Sequence, residues 1–408
     1  MTAAGGRTAA FTAVLALSVI LGVGAHAAVG AEPASGLSPP PSPVVAGPVD
    51  GWPAPTPSPD VAAHLLVEAE TGQVLAAHGA EVPRAVASTV KVLTALTAVE
   101  RTEPGDEVTA GEEVLAVPGS GVGLEPGDTW RVDELIDAVI ARSGNDAAEA
   151  LAVHVAGDRE AFLELMEADA AALGLDLAPL VSVSGLDDGN RLTATDLAVI
   201  ARAALAHDEL RDHLARGHVE LPSEGRLASR NELLATYPGA SGVKTGFTEE
   251  AGNSLVASAV RDGRELVAVV LGAGDDPTRF EVAAGLLDLG FSSYAPHDID
   301  ARLTLRVAGG EVGYELAPLA VSTPVGDPPV AAWPVPSRVT DEVTAEVHAA
   351  GQVLTRTAVP RGSDPPARLD GTAGIGQAVA DGVYATLRAA VGDDGSGSLV
   401  TSSQGALP

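Results

Sequence analysis

Two hydrophobic periods alternate along the central part of the chain. The segment "AAHLLVEAETGQVLAAHG" (residues 62–79) has two apolar runs around a Thr-Gly pair, which is typical of a β-hairpin. From about residue 88 to residue 210 the apolar positions follow the helical period. Beyond residue 237 strand-like runs return before a last helix, "FEVAAGLLDLGF". Strands at both ends with helices between them predict one α/β (α+β) domain over residues 60–294, with an antiparallel sheet assembled from both ends and flanked by helices.

The residues before this domain have the pattern of an export signal followed by a tether. Arg7 precedes the apolar run "AFTAVLALSVILGVGA", and small-residue cleavage sites end at Ala27 or Ala31. We therefore predict a signal peptide over residues 1–31, the alternative being an uncleaved anchor. Residues 32–59 are rich in proline and are predicted to form a semi-extended tether. The protein is expected to be exported, to the outer face of the cytoplasmic membrane, the cell wall or the medium.

The hydrophobic pattern changes in the C-terminal part of the chain. Alternating and β-leaning runs between prolines predict a small β-rich module over residues 295–370. Apolar residues then recur every four positions, at Ile375, Val379, Val383, Leu387 and Val391, which predicts an amphipathic helix over residues 371–392. Because Arg388 is its only cation, this helix is a weak candidate for a membrane surface, and docking onto the protein itself is favoured. Residues 393–408 are predicted to be a disordered tail.

The composition narrows the range of partners and sites. A formal charge of −31 at pH 7 disfavours nucleic acid and an anionic membrane surface, so membrane contact is confined to the N-terminal segment or the C-terminal helix. The chain has no cysteine, which excludes disulfides, thiolate metal sites and a cysteine nucleophile. None of the nine histidines falls in a metal-ligand spacing, so neither a metal nor a cofactor is expected.

Lysine is almost absent, which makes its two positions informative. Of the 24 Lys and Arg residues, 22 are arginine, and the lysines are Lys91 in "STVK" and Lys244 in "VKTG". Ser88 opens a helix-periodic stretch, so Lys91 lies one turn behind it on the same face. A serine nucleophile needs a base, and a lysine can be that base if its pKa is lowered, whereas an arginine stays protonated. A helix cap beside an ordinary lysine is the alternative for so short a motif.

Two further triplets accompany this pair. Ser143-Gly144-Asn145 lies between two helical patterns, where serine and asparagine also suit a turn. Lys244-Thr245-Gly246 lies in a strand pattern, alongside which a peptide substrate could add. Each triplet is weak alone. The order Ser-x-x-Lys, Ser-x-Asn, Lys-Thr-Gly closely resembles the motif set of β-lactamases and penicillin-binding proteins.

The resemblance extends beyond the triplets, into "ASTVKVLTAL", "GLEPGDTWRVDELIDAVIARSGNDAAEALA", "LTATDLAVIA", "YPGASGVKTGFTEEAGNSLVASA" and "RFEVAAGLLDLGF". On these segments residues 60–294 resemble the serine-type D-alanyl-D-alanine carboxypeptidases, the low-molecular-mass penicillin-binding proteins with a β-lactamase/transpeptidase-like fold. The resemblance implies removal of D-alanine from peptidoglycan stem peptides, with β-lactams as inhibitors. The segment "VSVSGLDDGN" departs from the Asn/Asp-Pro-x-Gly-Leu pattern common in that family.

The resemblance also implies the roles of the catalytic residues. Ser88 would attack the carbonyl of the penultimate D-alanine with Lys91 as its general base. Ser143 would relay a proton to the leaving amine, and Asn145 would bind the substrate amide and orient Lys91.

Substrate binding is implied for the strand and the last helix. Lys244 would supply positive potential, and Thr245 and Arg279 would contact the terminal carboxylate, although a surface arginine is the alternative for Arg279. The strand through Gly246 would lie beside the peptide. The backbone N–H groups of Ser88 and Phe247 would form the oxyanion hole.

Other functions remain open on the sequence alone. A β-lactamase would share the nucleophile but needs a glutamate to activate water, and Glu164 and Glu167 lie in a helical rather than a loop pattern. A non-catalytic binding protein with the same fold is a third alternative. An endopeptidase that cuts D-alanyl cross-links is a variant within the same class.

Overall fold

The computed structural model describes residues 36–37, 49, 51–55, 60–115, 117–307, 310–332, 341–349, 352–362 and 384–391. The predicted signal peptide (1–31) and tail (393–408) lie outside the described residues. Within these ranges no helix is long and apolar enough to cross a membrane.

The first domain contains short helices and strands between the two halves of a central sheet. In chain order its elements are β1 (Ala63–Glu68), β2 (Val74–His78), β3 (Arg84–Ala85), α1 (Lys91–Val99), β4 (Glu107–Thr109), β5 (Thr129–Arg131), α2 (Val132–Asp137), α3 (Asn145–Ala156), α4 (Arg159–Ala172), β6 (Arg191–Leu192), α5 (Ala194–Ala206), α6 (Asp208–Leu214), β7 (His218–Leu221), β8 (Gly225–Ala228), α7 (Leu233–Thr236), β9 (Ala240–Thr248), β10 (Gly252–Arg261), β11 (Arg264–Ala273) and α8 (Asp276–Ser293). Short 3-10 helices cover Ala87–Val90 and Glu112–Val114, and a π-helical turn covers Ala138–Arg142.

The central sheet is antiparallel and is assembled from both ends of the domain, as the hydrophobic pattern predicts. Its strand order is β2-β1-β11-β10-β9. The first strand therefore pairs with the last, with Ala63 opposite Leu271 and Leu65 opposite Val269. The predicted fold class, an antiparallel sheet flanked by helices, is confirmed.

Alternate residues of the inner strands pack into two separate cores. Leu65 of β1 and Val269 of β11 belong to the core shared with helices α1 to α6, whereas Leu66 and Val270 belong to the core beneath α8. Because helices cover both faces, the inner strands are near-continuous apolar runs rather than alternating ones. Helix α1 is buried along all nine residues, which fixes its first turn against the sheet.

The C-terminal module consists of two three-stranded sheets that share a small core. Its strands are β12 (Tyr294–Val307), β13 (Gly310–Pro324), β14 (Val330–Ala332), β15 (Glu342–Ala349), β16 (Gln352–Pro360) and β17 (Tyr384–Val391). The orders are β13-β12-β17 and β14-β15-β16, and Tyr314, Leu316 and Val347 are among the buried residues between them. Gln73 and Ser322 exchange two hydrogen bonds of 2.7 Å, which fasten the module to the hairpin of β1 and β2.

The predicted amphipathic helix over residues 371–392 is wrong for its second half. Residues 384–391 form strand β17, which pairs antiparallel with β12 so that Leu387 lies opposite Leu303. A spacing of four residues is even, so it fits the two-residue period of a strand as well as one helical turn. The residues of this prediction before 384 lie outside the described residues.

Part of the predicted tether is docked rather than free. Trp52 is only 9% exposed and packs on Tyr294, with 6.0 Å between the ring centres. The Tyr294 hydroxyl donates to the Pro53 carbonyl at 2.6 Å. Burial of a large indole compensates for the ordering of a proline-rich segment that offers little else to bury. We call residues 49 and 51–55 the strap.

Candidate active site

Ser88 lies in the 3-10 helix that leads directly into α1, and it is half-buried. The preceding residue, Ala87, has a φ of 49°, a left-handed conformation that costs about 1–3 kcal/mol for a residue with a Cβ. Gly185 packs against this turn, because a Cβ at that position would lie 2.0 Å from the Ala87 carbonyl oxygen. The surrounding structure therefore holds the Ser88 turn in a conformation that it would not adopt alone.

Lys91 is completely buried at the start of α1, with its Nζ 3.0 Å from Ser88 Oγ. Burial, with a smaller effect from the positive charge of Arg230, lowers the pKa of Lys91 to about 7, against the opposing effect of Asp146 and Glu149. Near neutral pH much of this lysine is therefore an uncharged amine.

The other contacts of Lys91 determine where its lone pair lies. Nζ donates to Asn145 Oδ1 and to the Ser184 carbonyl oxygen, each at 2.6 Å. The Asn145 amide is oriented by its Nδ2, which donates to the Pro118 carbonyl at 2.7 Å, so its oxygen faces the lysine. Both partners only accept, and a neutral amine has two N–H groups. The lone pair is left for Ser88, whose hydroxyl can donate to it.

Ser143 and Asn145 are positioned by the end of the π-helical turn. Ser143 has a φ of 64° and is 4% exposed, and Asn145 begins α3 two residues later. The backbone N–H of Asn145 donates to the Ser120 carbonyl at 2.7 Å, and Asp146 accepts the Val122 N–H at 2.9 Å. The loop that precedes β5 is thereby tied to the start of α3, beside the lysine.

Strand β9 lies close against the turn that carries Ser88. A Cβ at Gly246 would lie 3.1 Å from the backbone nitrogens of Ser88 and Thr89 and 3.0 Å from the Val86 carbonyl oxygen. Among the described strands β9 pairs only with β10, so its outer side has backbone groups available for a peptide. Glycine at position 246 is what allows the strand to come this near.

Lys244 is buried on β9 with its Nζ donating to the Thr245 carbonyl oxygen at 2.9 Å. Burial and the charges of Lys91, Arg230 and Arg279 lower its pKa well below the usual value. No ion pair joins Lys244 to a carboxylate within the described ranges. Lys244 is thus a buried amine among other basic side chains and has no carboxylate partner of its own in these ranges, which favours an anionic ligand.

Arg279 lies in the first turns of α8 and is 7% exposed. Its Nη1 donates to the Gly246 carbonyl oxygen at 3.0 Å, and its Nη2 forms an ion pair with Asp276. Beside it is an open cavity of about 450 Å³ lined by Arg230, Glu232, Phe247, Asn253, Asp276 and Arg279. The side chain of Phe247 is 56% exposed at this rim.

The predicted site residues fall into two groups. Ser88, Lys91 and Asn145 are in direct contact, and Ser143 precedes Asn145. Lys244, Thr245, Gly246, Phe247 and Arg279 lie on or against β9. The described residues hold no group of three or more His, Cys, Asp or Glu placed for a metal ion.

Sequence reasoning missed two contributors. Arg230 lowers the pKa of both lysines, and its backbone N–H donates to the Ala141 carbonyl at 2.9 Å. The Ser184 carbonyl binds Lys91 from the segment that departs from the family pattern. A carbonyl leaves no mark on residue type, and a lone arginine in "ASRNEL" carries no motif.

Comparisons with known proteins agree on one family. The profile of peptidase S11, D-alanyl-D-alanine carboxypeptidase, matches residues 54–275, more than half of the chain. The D-alanyl-D-alanine carboxypeptidase DacB2 of Mycobacterium tuberculosis is 35% identical over 259 residues, which are 61% of this chain and 84% of that protein.

Two solved structures extend the likeness to three dimensions. Penicillin binding protein 6B from Escherichia coli is 28% identical with a TM-score of 0.64, over 77% of this chain and 99% of that one. Penicillin-Binding Protein D2 from Listeria monocytogenes, in its ampicillin-bound form, is 28% identical with a TM-score of 0.53, over 58% and 100%. This chain belongs to the peptidase S11 family of D-alanyl-D-alanine carboxypeptidases.

Proposed function

We propose that this protein removes the terminal D-alanine from peptidoglycan stem peptides through an acyl-enzyme on Ser88, and that β-lactams acylate the same serine. One observation carries the proposal: Lys91 is buried with both N–H groups of its neutral form bonded to acceptors. A buried amine without an ion pair costs stability, so packing of α1 does not account for it. A serine nucleophile accounts for the buried Lys91, because such a serine needs a base beside its hydroxyl.

Acylation follows from these contacts. Ser88 Oγ attacks the carbonyl carbon of the penultimate D-alanine while its proton passes to Lys91 Nζ, 3.0 Å away. The C–N bond to the terminal D-alanine then breaks, and the leaving amine takes a proton from Lys91 by way of the Ser143 hydroxyl. The products are an ester on Ser88, free D-alanine and a lysine that is again neutral.

The terminal carboxylate supplies the charge that the cationic site lacks. Burial lowers the pKa values of Lys244, Arg230 and Arg279. The charge of Arg230 lowers the pKa values of Lys244 and Arg279 further. A carboxylate beside Thr245 would raise the pKa of Lys244 and allow it to hold a proton while Lys91 stays neutral. Binding of the substrate thus separates the roles of the two lysines.

The outer side of β9 would bind the peptide as an additional strand. Gly246 of β9 lies against the Ser88 turn. The backbone N–H groups of Ser88 and Phe247 would bind the developing oxyanion there. Preorganised donors of this kind contribute about 3–4 kcal/mol each in acyl transfer.

We expect slow hydrolysis of the ester that a β-lactam forms on Ser88. The two glutamates that a β-lactamase could use to activate water lie away from Ser88. Glu164 and Glu167 lie in α4, and Glu167 accepts the backbone N–H of Leu180 at 2.7 Å. Among the described residues no carboxylate forms a hydrogen bond with Ser88 or Lys91. We therefore favour the carboxypeptidase over the β-lactamase.

We also propose that the enzyme acts outside the cytoplasm. The support is the apolar segment "AFTAVLALSVILGVGA" after Arg7, which has the pattern of an export signal. Cleavage of the precursor, followed by N-terminal sequencing of the secreted protein, would test this part separately.

The central experiment follows D-alanine release and the intact mass of the protein with benzylpenicillin. We expect D-alanine release from a D-Ala-D-Ala peptide and a long-lived penicilloyl adduct, both lost in Ser88→Ala. Rapid turnover of penicillin without release of D-alanine would indicate a β-lactamase. A stable adduct without D-alanine release would indicate a penicillin-binding protein without turnover, and absence of an adduct would overturn the role of Ser88.

A further inference from the structure

A pair of histidines lies at the edge of the sheet opposite to the catalytic strand. His64 of β1 and His78 of β2 are directly opposed in the antiparallel register. Their ring centres are 5.6 Å apart and their planes differ by 31°. Strand β2 is four strands from β9, or about 19 Å at the usual strand spacing of about 4.8 Å, so the pair is separate from the active site.

The pair borders a cavity of about 250 Å³ that the strap covers from one side. Its lining includes Trp52, Pro53, Leu75, His64 and His78. His64 is 5% exposed, and its buried Nδ1 has no hydrogen-bond partner among the described residues; the same holds for the Nε1–H of Trp52. Two unpaired polar groups around one cavity indicate that a polar occupant belongs there, since buried polar groups are normally bonded.

We propose that His64 and His78 bind a divalent transition-metal ion, with Zn²⁺ as the fitting representative, and that water from the cavity completes its coordination. Imidazole is the commonest protein ligand for such ions. With Zn–N bonds of about 2.0–2.1 Å and each ring centre about 1.2 Å behind its nitrogen, two rings on a tetrahedral ion have centres about 5.2 Å apart. The observed separation of 5.6 Å requires only a small widening of that angle.

The charge of the protein and the ligand count define the character of the site. A formal net charge of −31 attracts cations to the surface in general. Because the described lining of the cavity offers only two histidine ligands, the ion is exchangeable, unlike one held by a closed four-ligand structural site. It would join β1 to β2 in the folded hairpin, four strands from β9, so its effect is on stability rather than on catalysis.

The sequence does not reveal this pair, because its members are far apart along the chain. Metal sites are recognised in sequences by short spacings, whereas these two histidines meet through the hairpin register, which has an irregularity between Leu66 and Val67.

The experiment titrates Zn²⁺ into the tag-free full chain and measures both binding heat and thermal stability. We expect one ion per chain and a rise in Tm, with binding weakened about tenfold or more in His78→Gln, since loss of a ligand contact costs at least as much as loss of an outer partner. His78 is exposed, so this variant should fold, and His64→Gln should behave in the same way.

The matched control is His218→Gln, which removes an exposed strand histidine elsewhere and should leave Zn²⁺ binding unchanged. Absence of saturable binding, or equal binding by His78→Gln and the unaltered chain, would overturn the proposal. D-alanine release should be equal in His78→Gln and the unaltered chain, so a failure of the metal site leaves the enzymatic proposal standing.

Discussion

The two outer strands of the five-stranded sheet have opposite surroundings. Strand β9 faces the Ser88 turn with Gly246 and carries the buried cation Lys244, and no described strand pairs with its outer side. Strand β2 lies beside the strap, and the module is fastened to its hairpin through Gln73 and Ser322. An unpaired strand edge tends to recruit other chains. The strap and the module thus lie against the β2 edge, which carries no proposed catalytic residue. The β9 edge stays available, and a peptide substrate would bind there.

The difference also concerns polar groups. Near β9 the unpaired charges are cations that a substrate carboxylate can satisfy. Near β2 they are neutral groups: the Nε1–H of Trp52, a donor that suits a water, and Nδ1 of His64, which suits a water or a metal ion. The four variants that follow separate these two edges, in order of the expected effect on acylation.

Lys91→Arg should abolish acylation by both peptide and penicillin. A guanidinium keeps its proton, so the variant lacks a base, and loss of general-base catalysis costs about 10²–10⁴-fold. The rate of adduct formation by mass spectrometry measures this. Lys244→Arg is the matched control, because a guanidinium can still attract the substrate carboxylate at that position and the change should chiefly raise KM. Acylation by Lys91→Arg at the unaltered rate would refute the base assignment.

Gly246→Ala should slow acylation about 10²-fold, because its Cβ would meet the Ser88 and Thr89 nitrogens at 3.1 Å and displace β9 from the nucleophile. The measurement is kcat/KM for D-alanine release, with Tm as a check on folding. Gly263→Ala is a control at a glycine with free space, although its φ of 80° makes it strained. Equal kcat/KM for Gly246→Ala and the unaltered chain would show that this close approach is not needed.

The pH profile should shift in Arg230→Gln. The base acts when deprotonated, so kcat/KM should rise through the pKa of Lys91 at about 7 and level off above it. Removal of the positive charge of Arg230 raises that pKa, which moves the limb to higher pH by about half a unit and lowers the rate about threefold on the acid side. If the acid limb of the kcat/KM profile stayed in place while KM rose, Arg230 would act on the substrate carboxylate alone.

Trp52→Ala should leave acylation unchanged and lower stability. Loss of the buried indole and its packing on Tyr294 costs about 3 kcal/mol, since truncation of a buried aromatic side chain leaves a cavity. Denaturant unfolding measures the loss, and penicillin acylation at low temperature measures the site. If acylation fell together with stability, the two edges of the sheet would not be independent.

The sequence predicts the fold more completely than it predicts the contacts within the site. The contact of Ser88 with Lys91 follows from helix geometry, and the sheet follows from apolar runs at both ends of the domain. Asn145 as a partner of Lys91 was implied by resemblance alone. The roles of these residues stay predictions until the variants are measured.

The features that sequence reasoning missed arise from the tertiary structure. The influence of Arg230 on the lysines depends on where a loop crosses the site, and the bond from Lys91 to Ser184 uses a carbonyl that every residue has. Strand β17 was predicted as a helix because a four-residue spacing suits both the helical and the strand period. The burial of Trp52 was not predicted because the proline-rich composition of its segment indicates a tether, and one large apolar side chain does not change that composition.

The pairing of β1 with β11 has a consequence for the order in which the chain can fold. Ala63 finds its neighbour Leu271 only after nearly the whole catalytic unit has been synthesised. Closing a loop of this length makes folding slow, because the entropy is lost before the contact is gained. A polypeptide that is synthesised from its N-terminus therefore remains without its central sheet for most of its synthesis. If the chain is exported as proposed, its central sheet would then form only after most of the chain has crossed the membrane.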